Sequence, residues 1–166
     1  AYFRASVALA LVGTDQRAVK FIGCLHLFEL NIPEPLPRLA CYYLNVAANE
    51  DKSGMASFFY SQALLRLAQH VDSDVALAGI FWLRKSRDMG HDEARELLNQ
   101  MDSIWQSRCC YCEKQAQSGA KYKQCSKCKA EWYCSKECQV EAWRAGHKQD
   151  CKRASILKFE DYLNAA

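Results

Sequence analysis

Eight potential metal ligands follow a regular spacing between residues 109 and 151, and this array restricts the fold more than any other part of the sequence. The pairs are C-x2-C at Cys109 and Cys112, C-x2-C at Cys125 and Cys128, C-x3-C at Cys134 and Cys138, and H-x3-C at His147 and Cys151. A C-x2-C turn brings two thiolates within reach of one ion, and residues four apart share one face of a helix. Each pair therefore supplies half of a tetrahedral site, and the array predicts two zinc ions.

These four pairs can combine in two ways. Alternating pairs would give one zinc ion the ligands Cys109, Cys112, Cys134 and Cys138, and the other zinc ion the ligands Cys125, Cys128, His147 and Cys151. Sequential pairing would instead join neighbouring pairs. Either way each ion has four protein ligands and no open position, so we expect structural zinc. Cys110 is the surplus thiol, because C-x-C with Cys112 is a spacing that one tetrahedral zinc seldom uses.

The grouping of cysteines also indicates the cellular environment and the partners. Eight of the ten cysteines lie between residues 109 and 151, seven of them in the array, which favours metal binding in a reducing, intracellular compartment over scattered disulfides. Residues 108–153 carry a formal charge of +6, which seven thiolates and two zinc ions would reduce to +3. We therefore expect no nucleic-acid binding from charge alone. Charged residues interrupt the apolar stretches, so we also expect no membrane span.

The residues before the array show helical periodicity and an internal repeat of 38 residues. The matched positions are Ala18, Ala56 and Ala94, then Phe21, Phe59 and Leu97, then Tyr43 and Phe81. Apolar spacing of three or four predicts helices over 15–30, 36–49, 54–70, 74–89 and 92–106. An ordinary helical bundle with an accidental period is the alternative. Because the repeat register places residues 1–12 inside an earlier unit and no initiator Met is present, we expect a fragment of a longer protein.

The helical pairs carry recurring small-residue motifs: "A-x-x-x-x-G" at residues 18–23, "LACYYLNVAA" at 39–48 and "LAGIFWLRKS" at 77–86. With these motifs, residues 1–106 resemble Sel1-like repeats, whose period exceeds the 34 residues of tetratricopeptide repeats. The resemblance implies a curved α-solenoid that binds or scaffolds proteins and has no catalytic activity of its own.

The zinc-ligand region resembles the MYND-type zinc finger over residues 109–151. The motifs that carry the resemblance are "CCYC", "CSKC", "WYCSKECQ" and "GHKQDC". RING and PHD fingers also bind two zinc ions, but their last ligands are usually C-x2-C. The resemblance implies the alternating, cross-braced ligand sets, a short β-hairpin, and a groove for proline-rich peptides that contain leucine. The peptide-contacting positions of the family fall here on Gln139 and Trp143.

Four residues are candidate peptide contacts. Gln139 and Trp143 are four apart and share a helical face, where an amide can meet a peptide backbone and an indole can meet a proline ring. The alternative places Trp143 in the small core of the finger and Gln139 on its surface. Trp132 and Tyr133 precede Cys134 in a predicted strand, where they either pack on the zinc site or line the groove.

The predicted architecture is mainly α: a Sel1-like, tetratricopeptide-like solenoid over 1–107, a two-zinc finger over 108–152, and a C-terminal helix over 153–166. Each of the first two regions is expected to have its own core. The C-terminal helix presents Ile156, Phe159 and Leu163 on one side, which predicts docking on the finger or on the last repeat.

The predicted function is that of a non-catalytic adaptor in the nucleus or cytoplasm, in which both regions bind partner proteins. The alternative is the substrate-recruiting part of a larger enzyme. A ubiquitin-ligase subunit or a lysine methyltransferase would fit, with its catalytic or F-box portion outside this chain.

Overall fold

The computed structural model describes residues 16–29, 36–69, 74–117 and 119–165. Five helices precede the finger in this part of the chain: α1 (Gln16–Phe28), α2 (Pro37–Glu50), α3 (Met55–Leu67), α4 (Asp74–Asp88) and α5 (Asp92–Trp105). Their bounds lie within three residues of the predicted ones. The earlier repeat unit that the sequence places at residues 1–12 lies outside the described residues.

Successive helices pack against one another, and two glycines allow the closest approaches. A Cβ atom on Gly23 of α1 would lie 2.5 Å from Leu44 Cγ of α2, and one on Gly79 of α4 would lie 2.8 Å from Leu65 Cγ of α3. Real Cβ atoms do not approach so closely, so any other residue would separate each pair. Each pair therefore has one close glycine–leucine contact, with the glycine on the first helix of the α1–α2 pair and on the second helix of the α3–α4 pair.

The finger combines a short hairpin with two helical turns. Strands β1 (Lys123–Gln124) and β2 (Trp132–Tyr133) pair antiparallel, with Lys123 opposite Tyr133. Helix α6 (Lys136–Ala142) leads through a π-helical turn, Trp143–His147, into α7 (Lys148–Ala154). Gly146 has a φ of 143° inside this turn, a conformation that glycine adopts without strain. The resulting kink redirects the chain just before His147.

One hydrophobic cluster is built from residues of α1–α4 and from the C-terminal residues Phe159 and Tyr162, and a second cluster joins the finger to α4. Ile80 of α4 is buried in the same cluster as Cys109, Tyr133 and Cys151. Arg84, also on α4, donates from Nε to the backbone carbonyl of Lys129 over 2.5 Å. Contacts made by α4 therefore cross the predicted boundary near residue 107.

The C-terminal residues return to the helices rather than to the finger. Helix α8 (Phe159–Asn164) packs on α2, where Phe159 and Tyr162 are buried and Leu163 is exposed. The predictions of a longer helix over 153–166 and of an inward Leu163 are therefore wrong, whereas the predicted docking on the last repeat is met in part, since Phe159 also packs on Tyr60 of α3. The turn between α7 and α8 shifts the helical register, so Tyr162 takes the buried position.

Within the described residues, no helix has the length and apolar character needed to cross a membrane.

Candidate metal centre

The two C-x2-C segments fold into matching knuckles. The backbone N–H of Glu113 donates to the carbonyl of Cys109 over 2.9 Å, and the N–H of Lys129 donates to the carbonyl of Cys125 over 3.0 Å. Glu113 and Lys129 have φ values of 59° and 52°, which turn the chain away after each second cysteine. Each knuckle therefore presents two thiols on the same side of a tight turn.

The C-x3-C segment is positioned by the start of α6. Ser135 is the N-cap residue, and its hydroxyl accepts the N–H of Cys138 over 3.2 Å. This cap places Cys138 in the first turn, with its Sγ 3.4 Å from Sγ of Cys134. The kink at Gly146 then places His147 and Cys151 one turn apart, with both side chains facing the second knuckle.

The structure brings the eight ligands together as two clusters, in the alternating arrangement. The outer cluster consists of Cys109, Cys112, Cys134 and Cys138, and the inner cluster of Cys125, Cys128, His147 and Cys151. Within each cluster all ligand atoms lie within 4.8 Å of one another. Cys110 lies outside both clusters, since it is exposed and its Sγ accepts the backbone N–H of Trp132.

The distances between ligand atoms fit tetrahedral zinc. Bonds of about 2.3 Å to sulfur and 2.0–2.1 Å to nitrogen give tetrahedron edges of about 3.8 Å between two sulfurs and 3.6 Å between sulfur and nitrogen. In the outer cluster Sγ of Cys112 lies 3.6 Å from Sγ of Cys134. In the inner cluster Nε2 of His147 lies 3.4 Å from Sγ of Cys125 and 3.8 Å from Sγ of Cys128. Both clusters can therefore hold a zinc ion, and the predicted cofactor, two structural zinc ions, is confirmed.

A partly buried carboxylate supports the inner cluster. Nδ1 of His147 lies 2.9 Å from Oε2 of Glu131, and the hydroxyl of Tyr133 donates to the same oxygen. Although burial opposes ionisation, hydrogen bonds from His147 and Tyr133 hold the pKa of Glu131 below its usual value. The carboxylate thus fixes the ring so that Nε2 faces the thiols, and it increases the basicity of that nitrogen.

The same contacts change the pKa of the His147 imidazole. Burial disfavours the charged ring, but hydrogen bonds to the Cys125 thiolate and the Glu131 carboxylate raise the pKa of His147 to about 9. A basic imidazole is a strong metal ligand, because the negative charges that attract a proton also favour a cation. No spacing in the sequence singled out Glu131, which sequence reasoning missed.

A groove of about 300 Å³ lies beside the inner cluster, between the second knuckle and α6. The lining residues are Cys125, Ser126, Lys127, Gln139, Val140, Trp143 and Arg144. Trp143 packs the edge of its indole against His147, with ring centroids 5.7 Å apart, and its remaining surface lines the groove. It is thus both part of the finger's core and part of the groove wall.

The structure places two of the four candidate peptide contacts in the groove and two outside it. Gln139 and Trp143 lie together in the groove, whereas Trp132 and Tyr133 are absent from its lining. Tyr133 is buried against His147 and bonded to Glu131, so it packs on the zinc site. The backbone of Trp132 pairs with Cys110 on the far side of the hairpin. Lys127, which sequence reasoning did not connect with the groove, places its Nζ 5.3 Å from the Trp143 ring centre.

Comparison with known proteins identifies the finger. Residues 108–151 match the model of the MYND finger, as the motifs indicated. Ubiquitin carboxyl-terminal hydrolase 16 of Arabidopsis thaliana is 58% identical over 33 residues, which is 20% of this chain and 3% of that protein. A SET and MYND domain-containing protein of Dictyostelium discoideum is 46% identical over 41 residues, 25% of this chain and 7% of that protein. No solved structure matches.

These relatives are similar to only a small part of the chain, which spans at most 7% of the length of those named here. MYND fingers are protein-interaction modules, so the similarity supports protein binding through residues 108–151. The matches do not extend over the helices α1–α4, and they leave Sel1-like repeats without support from relatives.

Proposed function

We propose that this chain is a non-catalytic adaptor, whose finger binds proline-rich, leucine-containing peptides of partner proteins inside the cell. The observation that carries the proposal is the groove that Gln139 and Trp143 share. Gln139 offers both a donor and an acceptor for an extended backbone, and the indole offers a flat apolar surface for a proline ring. A polyproline segment is already extended, so little conformational entropy is lost on binding.

The charge of the groove indicates which peptides bind best. Lys127 and Arg144 stand at its rim, and no carboxylate is among its lining residues. Arg144 is partly neutralised by Glu141, which lies 2.8 Å away, whereas Lys127 stands over the Trp143 ring. Peptides with a glutamate beside the proline-leucine core should therefore bind more tightly than peptides with a lysine there, and the difference should shrink with added salt.

Fluorescence polarisation with a panel of labelled proline-rich peptides and the whole chain tests this proposal. We expect roughly micromolar affinity, and Trp143→Ala should weaken binding by about 2 kcal/mol, because it removes an aromatic contact at the centre of the groove. Gln139→Ala should weaken binding with both zinc ions retained. Tyr111→Ala is the matched control, since Tyr111 is an exposed aromatic of the finger outside the groove.

Zinc content must be measured for each variant, so that a lost metal is not mistaken for a lost contact. If no peptide binds the unmodified chain, or if Trp143→Ala and Tyr111→Ala bind equally well, the groove is not the partner site. The finger would then serve as a cap on the helices.

The proposal for the helical region is that α1–α4 form two Sel1-like repeats that scaffold a second partner. The 38-residue period supports it, together with the packing of each of these helices on the next. Such repeats bury a continuous core between neighbours, so removal of one helical pair should unfold the adjacent pair.

The second candidate is the substrate-recruiting part of a larger enzyme. It is favoured by the names of the relatives, which include ubiquitin hydrolases and a SET and MYND domain-containing protein. Affinity capture with the full-length protein distinguishes the candidates: ubiquitin-ligase or lysine-methyltransferase activity in the captured material, directed to partners that Trp143→Ala loses, would favour an enzyme.

A further inference from the structure

The residues that follow the finger lie across α2 as a bound peptide would. This contact is separate from the finger groove. The C-terminal segment, defined here as residues 155–165, crosses α2 and is held there by Asn45. Nδ2 of Asn45 donates to the carbonyl of Leu157 over 2.7 Å, and its Oδ1 accepts the N–H of Phe159 over 2.9 Å. Asn49, one turn later, donates to the same Leu157 carbonyl over 3.2 Å.

This arrangement recognises main chain rather than side chains. One amide satisfies a carbonyl and an N–H on either side of Lys158, as a neighbouring strand would. Asn45 itself is only 4% exposed. An amide at this depth loses water on both of its polar atoms, so it requires a backbone partner. The site is therefore built to hold an extended segment.

Two aromatic side chains anchor the segment below this clamp. Phe159 and Tyr162 are each 2% exposed and belong to the core that α2, α3 and α4 share. The Phe159 ring meets Tyr60 of α3 edge to face, with centroids 6.4 Å apart, and lies parallel to the Tyr162 ring at 6.5 Å. The pattern that the groove accepts is an aromatic residue followed, three positions later, by another.

The second anchor fits imperfectly. The hydroxyl of Tyr162 is buried and has no hydrogen-bond partner among the described residues. A phenylalanine at that position would fill the same space without leaving a polar group unsatisfied. Beside the segment a cavity of about 260 Å³ also lies open, lined in part by Tyr42, Asn49 and Glu160. The segment thus fills the groove without being its best ligand.

We propose that the groove over α2 and α3 is a peptide-binding site and that the C-terminal segment is its internal ligand. External ligands are peptides with an extended turn followed by two aromatic residues three apart, the second of them phenylalanine. In excess, such a peptide displaces the tethered C-terminal segment, because it keeps the backbone bonds to Asn45 and the Phe159 contact but lacks the buried hydroxyl. This site is separate from the finger groove, and it goes beyond the proposed function.

The test uses the whole chain with a specific protease site inserted between Ser155 and Ile156, cleaved only after folding. A fluorescent peptide of residues 156–165 should then exchange into the cleaved chain. The Tyr162→Phe peptide should bind several-fold more tightly, and the Phe159→Ala peptide about a hundredfold more weakly. Asn45→Ala in the chain should weaken binding roughly tenfold. Asn99→Ala is the matched control, at an exposed position of α5.

Hydrogen exchange on the uncut chain provides a second measurement. Excess Tyr162→Phe peptide should expose the Phe159 amide to exchange while the amides of α3 remain protected. The proposal is overturned if the cleaved chain loses its helical signal, if no peptide exchanges, or if Asn45→Ala binds as tightly as Asn99→Ala. It is also overturned if the Tyr162→Phe peptide binds no better than the unchanged sequence, since the displacement rests on that difference.

Discussion

The outer and inner clusters have nearly the same ligands but very different surroundings. All four residues of the inner cluster are buried, whereas in the outer cluster only Cys109 is buried and Cys112 is exposed. The inner cluster also has the Glu131–Tyr133 support, and its second knuckle is bonded to Arg84 of α4. The two clusters therefore have different structural roles. The inner cluster joins the finger to the helices, and the outer cluster stabilises the edge of the finger.

The strongest test of this difference is the loss of an inner ligand. Cys128→Ser should release one zinc ion and lower the free energy of unfolding by on the order of 4–5 kcal/mol, the range associated with a lost structural metal. Since the inner cluster packs against Ile80, the amides of α4 should also exchange faster. Elemental analysis, thermal unfolding and hydrogen exchange measure these effects.

Cys110→Ser is the matched control for this change, because Cys110 adjoins a ligand but lies outside both clusters. It should keep two zinc ions and nearly unchanged stability. Unaltered exchange in α4 after Cys128→Ser would show that the helices fold independently of the inner cluster.

The second test removes the bond between α4 and the knuckle. Arg84 pairs with Asp102 of α5 over 2.7 Å, and its side chain is only 7% exposed. Arg84→Met leaves this carboxylate without its cation and the Lys129 carbonyl without one donor, so stability should fall by about 3 kcal/mol with both zinc ions retained. Denaturant unfolding measures the loss.

Two further variants check the cause of that loss. Arg84→Met combined with Asp102→Leu should recover much of the stability, because no unpaired charge remains. Arg87→Met, on the same helix, removes an arginine whose pair with Asp88 is largely exposed, and it should change stability little. Equal effects of the two single variants would contradict the role given to Arg84.

The third test concerns the carboxylate behind His147. Glu131→Gln keeps the size of the side chain but removes its charge, so zinc affinity of the inner cluster should fall roughly 10- to 100-fold. Affinity of the outer cluster should not change. Titration against a chelator of known affinity separates the two sites, and Glu137→Gln on the exposed start of α6 is the control. A loss shared by both sites would mean that Glu131 acts on the finger as a whole.

The loss of an outer-cluster ligand is expected to have the smallest effect on the helices. Cys112→Ser should release one zinc ion and change the unfolding free energy of the helices by about 1 kcal/mol or less, because only Cys109 of the outer ligands is buried in the cluster that contains Ile80. Cys138→Ser should disturb the same site. NMR of each variant should leave the resonances of the inner ligands nearly unchanged, and disturbance of both sites by either variant would contradict this separation.

Local sequence patterns were sufficient to predict much of this structure. Helical spacing placed the five helices within three residues, and the ligand spacing pointed to two zinc ions because both signals lie in neighbouring residues. The choice between alternating and sequential pairs came from family resemblance, since spacing alone allows both. The predicted grouping of Gln139 with Trp143 likewise depends on one helical turn.

The remaining features depend on contacts between distant residues. Arg84 and Lys129 are 45 positions apart, and no local pattern marks a buried arginine that bonds a backbone carbonyl. The inward position of Leu163 was mistaken because one continuous helix was expected, whereas the turn at 155–158 follows α7 and lets Asn45 hold the backbone. Glu131 gave no signal because a single carboxylate between two ligand pairs resembles any charged loop residue.

The late position of Cys151 affects how the chain folds during its synthesis. The inner cluster closes only when this last ligand has left the ribosome, about 67 residues after Arg84. At 5–20 residues per second this delay is roughly 3–13 s. During that time α4 has formed next to α3, but Ile80 and Arg84 have no finger to cover them. Nascent chains therefore expose an apolar face beside a cation, a surface that chaperones can hold until zinc is bound.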